Sequence, residues 1–192
     1  MGYFMAGFDV EGVDIKPQPH YPFKFHLADA LTFPLEGYDA YHASPPCQAF
    51  SANCRFWRKQ GYQYPDWVQP IRQRLGITGK PFVIENVKGA PLINPHILNG
   101  AMFGLLLQRT RLFEVSFDMP FTLLPQGMAP IRVGRPVQAG QVISPVGHFP
   151  NRHYAEQQMG ISWMTKQELT QAIPPCYTEY IGKYLLGAVC RT

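Results

Sequence analysis

The sequence predicts a single α/β domain, residues 1 to 192, built on a mainly parallel sheet. Three observations lead there. Short apolar, strand-like runs alternate with segments of helical spacing, the order expected of βα units. Acidic and sulfur side chains fall at or just beyond the ends of those runs, where ligands sit in open α/β sheets. The chain has 192 residues and 46% hydrophobic content, enough to bury one core and too apolar to stay unfolded.

The elements follow in order. "FDVEGVDI" at 8–15 reads as a strand running to Asp14. "YDAYHAS" at 38–44 is a second strand that runs into Pro45 and Pro46. "DWVQPIRQRLGI" at 66–77 sets Trp67, Ile71 and Leu75 at helical spacing, and Pro70 is tolerable there only in the first turn. "KPFVIENV" at 80–87 is a short buried strand, and "RTRLFEVSF" at 109–117 alternates as a strand should. The span 116–153 is rich in Gly, Pro and Gln and lacks periodicity, so it reads as a small irregular insertion. "TKQELTQAI" at 165–173 opens with a Thr165–Glu168 capping box, and "CYTEYIGKYLLGAV" at 176–189 is a last helix behind Pro174 and Pro175.

Composition narrows the function classes. The formal charge is +4 and the isoelectric point about 8.9, compatible with a polyanionic partner. No apolar run approaches the roughly 18 residues of a membrane span. Asp9, Glu11 and Asp14 arrive too early for a secretory leader, and Ala6 stands where a myristoylation signal wants Ser or Thr. Cys47, Cys54, Cys176 and Cys190 show neither a CxxC pair nor zinc-ligand spacing. The expectation is a cytoplasmic protein with reduced thiols.

Cys47 stands out by its setting, "ASPPCQAFS". Two residues of fixed φ hold the thiol beyond a strand end with little freedom, which suits a nucleophile, because a misplacement of about 1 Å can cost roughly 100-fold in rate. A lone cysteine of this kind is also compatible with a small buried hydrophobe. Glu85, in "FVIENV", could cap a helix, and Arg109 and Arg111, in "QRTR", could be a solvated face. Taken together, a thiol, a carboxyl and guanidinium donors at neighbouring strand ends make a nucleophile, a proton donor and a carbonyl clamp.

These motifs resemble the DNA cytosine-5 methyltransferase family. "SPPCQAFS" is similar to its catalytic loop, "ENV" at 85–87 to its glutamate motif, and "QRTR" at 108–111 to its arginine motif. "GVDI" at 12–15 and "ADAL" at 28–31 fall where the family has cofactor-contacting acids, and "IPPCYTEYIGKYLL" at 173–186 resembles its closing helix. The motifs stand in family order over residues 6–115 and 154–190.

The resemblance implies a Rossmann-like, S-adenosylmethionine-dependent methyltransferase fold acting on double-stranded DNA. In the family a thiolate adds to C6 of a flipped cytosine and makes C5 able to take a methyl group. Cys47 would be that thiolate, its pKa lowered by nearby positive charge. Glu85 would hold N3 and the exocyclic amine, and Arg111, supported by Arg109, the ring carbonyl. Asp14, Ile15, Asp29, Ala30 and Pro45 would contact the cofactor. Gln48, Ser51, Arg55, Arg58 and Lys59 after the nucleophile, with Arg132 and Arg135 in the insertion, would contact DNA. The family opens with a strand and a glycine-rich turn, and this sequence starts at what corresponds to the helix end after them. The expected sheet therefore lacks the family's first strand, unless another segment or a second chain completes it.

Three rivals accompany this reading. One is a DNA- or protein-binding relative that has lost methyl transfer. Another acts on RNA cytosine. The third is an unrelated cysteine enzyme using His42 as base, although His42 lies on a strand where it could face away from Cys47.

Overall fold

The structure, a computed structural model, describes residues 1–120 and 140–191. It is mixed α/β. A short helix α1 (Gly2–Met5) precedes strands β1 (Glu11–Asp14), β2 (Lys24–Leu27) and β3 (Tyr41–Ala43). Helices α2 (Arg55–Lys59) and α3 (Val68–Ile77) lead to β4 (Phe82–Asn86), β5 (His96–Leu98) and β6 (Arg111–Val115). Helices α4 (Arg152–Met159), α5 (Lys166–Gln171) and α6 (Pro175–Val189) close the chain.

The strands form two sheets. β1 pairs with β2 in parallel. The other four stand in the order β3-β4-β6-β5. β3 and β4 are parallel, whereas β6 runs antiparallel to both β4 and β5. The sheet is thus mixed rather than mainly parallel. The connection carries no crossover helix: between β4 and β6 lie β5 and a short 3-10 turn but no α-helix, the element that usually returns a strand in parallel. Neither β1 nor β3 has a second paired neighbour among the described residues.

Each face of the four-stranded sheet has its own cover. Val83, Leu98 and Phe113 pack with Tyr177 and Ile181 of α6. Ile84, on the other face, packs with Val68, Ile71 and Leu75 of α3. Pro70 sits in the first turn of α3, where its missing N–H costs nothing. α6 begins with Pro175 at its first position, and α5 carries the Thr165–Glu168 capping box. Two glycines let α1 lie directly on α6. A Cβ on Gly2 would stand 2.1 Å from the Pro175 carbonyl, and one on Gly182 2.6 Å from the Ala6 Cβ.

A third cluster takes in the described end of the 116–153 span. Ile143 and Phe149 are buried with Leu107, Met159, Ile161 and Leu169, and Ile143 forms a β-bridge with Leu107. Residues 140–151 therefore pack part of the core between the segment before β6 and helices α4 and α5. Strands β2 and β5 and helix α4 were not read from sequence. Among the described residues no helix is long and apolar enough to cross a membrane, and all four cysteines are free.

An ion pair ties α3 to the sheet. Arg72 Nε and Nη2 donate to the two Glu114 oxygens at 2.6 and 2.7 Å, and Ile93 N–H donates to Oε2 at 2.8 Å. Glu114 is buried, so truncating its partner strands a charge. Arg72→Ala is expected to lower stability by about 3–5 kcal/mol. The double variant Arg72→Met with Glu114→Met should lose clearly less than the two single changes summed, as urea denaturation would measure.

Candidate active site

The site is built where β3, β4 and β6 lie side by side. Period-two alternation decides which side chains share a face. His42 stands opposite Val83, and Glu85 opposite Phe113. Hence His42 and Ser44 of the β3 line, Val83 and Glu85 of β4, and Arg111 and Phe113 of β6 all point to one face. Ile84 and Glu114 point to the other.

Glu85 is buried, and Arg111 Nε lies 3.0 Å from its Oε1. Ser44 adds a side-chain hydrogen bond. Burial pushes the Glu85 carboxyl above its ordinary range, and Arg111, Ser44 and Arg109 oppose that push. Asn86, next to Glu85, donates from Nδ2 to the Pro45 carbonyl at 3.0 Å. One strand thus holds the carboxyl and also clamps the proline pair that carries the thiol.

Cys47 follows that pair, half-buried, in a turn where its carbonyl accepts the Phe50 and Ser51 N–H groups at 2.9 and 2.8 Å. Arg111 and Glu85 both act on the thiol electrostatically. The expected fall in its pKa does not occur. Burial raises it and outweighs the pull of Arg111, while Glu85 adds to the rise.

Arg109 is not in the site. It is 1% exposed, and its Nη1 and Nη2 donate to the carbonyls of Pro145 and Thr170 at 3.1 and 2.8 Å. Burial, helped by the like charge of Arg111, pushes its guanidinium down to about 9, so it stays charged at neutral pH. It braces β6 against the Ile143 bridge and α5, and reaches Glu85 only through its field.

Of the residues expected to meet a cofactor, Asp14 ends β1. Its oxygens accept from the Lys16 N–H at 2.8 Å and the Gln18 amide at 3.1 Å. Asp29 is exposed just past β2 and accepts the Leu31 N–H at 2.8 Å. Ile15 is 68% exposed and Ala30 is exposed too, whereas Pro45 is half-buried. Because β1 and β2 are parallel, Asp14 and Asp29 lie at the same end of their sheet.

The residues after the thiol divide. Arg58 turns inward, Nη1 donating to the Gln48 and Ser51 carbonyls at 2.6 and 2.8 Å, so it fastens α2 to the thiol loop rather than facing solvent. Gln48, Arg55 and Lys59 are exposed, and Ser51 is half-buried and caps the next turn. Phe56, Trp57 and Tyr62 stack edge to face beside them with their rings open to solvent. Arg132 and Arg135 lie outside the described residues.

Two side chains of this neighbourhood, Tyr3 and Ser44, were missed by the sequence reading. Tyr3 Oη is 2.7 Å from His42 Nδ1, and His42 Nε2 is 3.0 Å from Ser44 Oγ. Both ring nitrogens are therefore committed, and His42 does not serve Cys47 as a base. Spacing of two between His42 and Ser44 was the available signal; the long-range Tyr3 contact had none. No family model matches the chain, and no curated protein matches it either.

Burial holds the His42 ring neutral, pushing its pKa down to about 4. In the unfolded chain the ring protonates from an ordinary value near 6.5. The unfolded state thus binds the extra proton between those values, and this contribution to stability, present above about 6.5, is lost as pH falls toward 4. Stability near pH 5 should lie about 2 kcal/mol below that near pH 7 from this group. In His42→Asn that part of the slope should vanish, measured as urea midpoints across the range.

Proposed function

We propose that this chain is a Rossmann-like methyltransferase domain that methylates carbon 5 of cytosine in DNA, with Cys47 as nucleophile. The observation that carries the reading is the convergence of a proline-held thiol, a buried carboxyl and a guanidinium, the last two 3.0 Å apart. The parallel β1–β2 and β3–β4 pairs, with acids and the thiol beyond their carboxyl ends, support the fold.

The chemistry needs each group. Aromatic C5 of cytosine is a poor nucleophile. The Cys47 thiolate forms a bond to C6 and pushes the ring electrons toward C5. Glu85 accepts from the exocyclic amine and shares a proton with N3, which limits charge build-up in the ring. Arg111 donates to the ring carbonyl. A bound cofactor would supply the methyl group to C5, its S–CH3 bond breaking to release the thioether; the C5 proton would then leave to solvent and the S–C6 bond break, returning the thiolate. A base inside a duplex cannot reach Cys47, so the cytosine must be flipped out, at a cost of a few kcal/mol. Arg55 and Lys59 are free to meet phosphates.

The donor set at β1 and β2 fits the nucleoside end of S-adenosylmethionine. Asp14 suits the ribose hydroxyls, Asp29 the adenine amine, and exposed Ile15 with Ala30 an aromatic face, with Pro45 toward the reacting end. Each carboxylate oxygen keeps acceptor capacity beyond its present bond. When bound, the cofactor supplies an electrophilic methyl group.

A second reading, a DNA- or protein-binding relative without methyl transfer, draws on the raised Cys47 pKa, which favours the unreactive thiol. The edges of β1 and β3, unpaired among the described residues, offer such a relative a place to pair with a partner's strand.

A duplex carrying 5-fluorocytosine, incubated with S-adenosylmethionine, separates the readings. Fluorine cannot leave C5 as a proton does, so the covalent adduct should persist on a denaturing gel. Cys47→Ala should give none, and Glu85→Gln about 100-fold slower trapping. An adduct that survives Cys47→Ala overturns the assignment. Absent heat on mixing with the cofactor in calorimetry favours the second reading.

A further inference from the structure

We propose that Phe56, Trp57 and Tyr62 form a stacking platform for unpaired nucleobases, with Arg55 and Lys59 meeting the phosphates beside it. The choice of nucleic acid as occupant rests on the reading of Cys47 as a group that meets a flipped cytosine. The platform itself stands on the geometry around α2 and does not require methyl transfer.

Exposure is the first observation. Phe56, Trp57 and Tyr62 are 62%, 48% and 57% exposed. Single exposed apolar side chains are ordinary on protein surfaces, but adjoining aromatic rings make a patch of the kind that marks a binding surface. The ring centroids of Phe56 and Trp57 lie 5.4 Å apart with planes at 80°, and those of Trp57 and Tyr62 repeat the same arrangement. In an edge-to-face pair only one ring has a face covered by its neighbour, so π-faces remain open. A planar base can stack on such a face.

Backbone geometry builds the patch and fixes it near the thiol. Gly61 stands at φ +90°, a left-handed conformation that favours glycine. It turns the chain back after α2, so the Tyr62 N–H donates to the Trp57 carbonyl at 3.2 Å and the Tyr62 ring meets Trp57. α2 itself buries none of its residues. Arg58 holds it instead, with Nη1 on the Gln48 and Ser51 carbonyls at 2.6 and 2.8 Å. The Ser51 N–H in turn donates to the Cys47 carbonyl at 2.8 Å. The helix thus turns one cation inward as an anchor to the thiol loop and leaves its two rings in solvent.

Charge selects the occupant. Arg55 and Lys59, on the same helix as Phe56 and Trp57, are exposed. Residues 40–65 contain Arg55, Arg58 and Lys59 and no Asp or Glu. A polyanion that carries flat aromatic rings matches both the charge and the open faces, and base–aromatic stacking is tolerant of sequence because every base has a π-face. Flipping a cytosine out of a duplex leaves its neighbours without a stacking partner. Rings fastened to the thiol loop replace that partner. The platform therefore favours single-stranded or locally opened DNA over fully paired duplex.

Fluorescence anisotropy tests this with four labelled probes at one salt concentration: oligothymidine, an abasic strand of equal length, a paired duplex, and the same duplex with an internal loop of unpaired thymines. Oligothymidine should bind about tenfold tighter than the abasic strand, which keeps the phosphates and lacks the bases. The looped duplex should bind tighter than the paired one, and the larger of the two gains identifies free strand or opened duplex as the better source of bases. Trp57→Ala should weaken binding of oligothymidine about tenfold and leave the abasic strand unchanged, while Trp57→Phe keeps most of the affinity. Arg55→Gln with Lys59→Gln should weaken all four probes and flatten the salt dependence. Equal binding of oligothymidine and the abasic strand, or a Trp57→Ala loss shared by both, overturns the platform. Self-association in sedimentation velocity that Trp57→Ala abolishes also overturns it and assigns the rings to a second copy of the chain. If Trp57→Ala does not fold, Phe56→Ala and Tyr62→Ala read the same difference. Fluorocytosine trapping is scored separately. Trapping without a preference for base-bearing strands overturns the platform and keeps the cytosine reading; that preference without trapping keeps the platform and removes the cytosine chemistry.

Discussion

The antiparallel pairing of β4 with β6 is the constraint on which the site depends. Glu85 faces Phe113 and Ile84 faces Glu114 in that register. A slip of one residue would exchange the two faces of β6. Arg111 would then leave Glu85, and Glu114 would leave Arg72. Two buried carboxyls would lose their guanidinium partners at once, so the register is held from both sides of the sheet by charge as well as by apolar packing.

From that pairing the rest follows outward. β4 also carries Asn86, whose amide holds the Pro45 carbonyl, so the strand that bears the carboxyl orients the loop that bears the thiol. Arg58 reaches back from α2 to the Gln48 and Ser51 carbonyls and closes that loop from its other end. The thiol's position is therefore set by backbone anchors rather than by contacts of its own sulfur. Its acidity is set differently. Burial dominates, and the Arg111 guanidinium that opposes it is shared with Glu85. A thiol held this way is fixed in place and kept in its protonated form.

Arginine roles show what residue type alone leaves open. Arg109 and Arg111 are two apart on one strand signal, yet one is locked among carbonyls and the other pairs with Glu85. Arg58 and Arg55 sit in the same five-residue helix, yet only Arg55 keeps its guanidinium in solvent. In each pair the difference comes from which carbonyl oxygens lie within reach, and those belong to segments remote in sequence or to a loop whose path is set by them.

Local chemistry was legible from the sequence by itself. Pro70 in a first turn, the Thr165–Glu168 box, the proline pair before α6, and the strands ending at Asp14, near Ala43 and at Asn86 each depend on a few adjacent residues. The thiol, carboxyl and guanidinium of the candidate site were singled out for the same reason: short motifs carried them. Strands β2 and β5 were hidden because three or four residues give too little periodicity, and α4 because it follows a Gly- and Pro-rich span. Pairing was decided only in three dimensions. The reversal of β6, the burial of Arg109, the inward turn of Arg58 and the Tyr3–His42 contact all join segments far apart along the chain or depend on how a loop closes. Such contacts are selected by how whole faces pack and which buried polar groups need partners, and no local pattern encodes that choice.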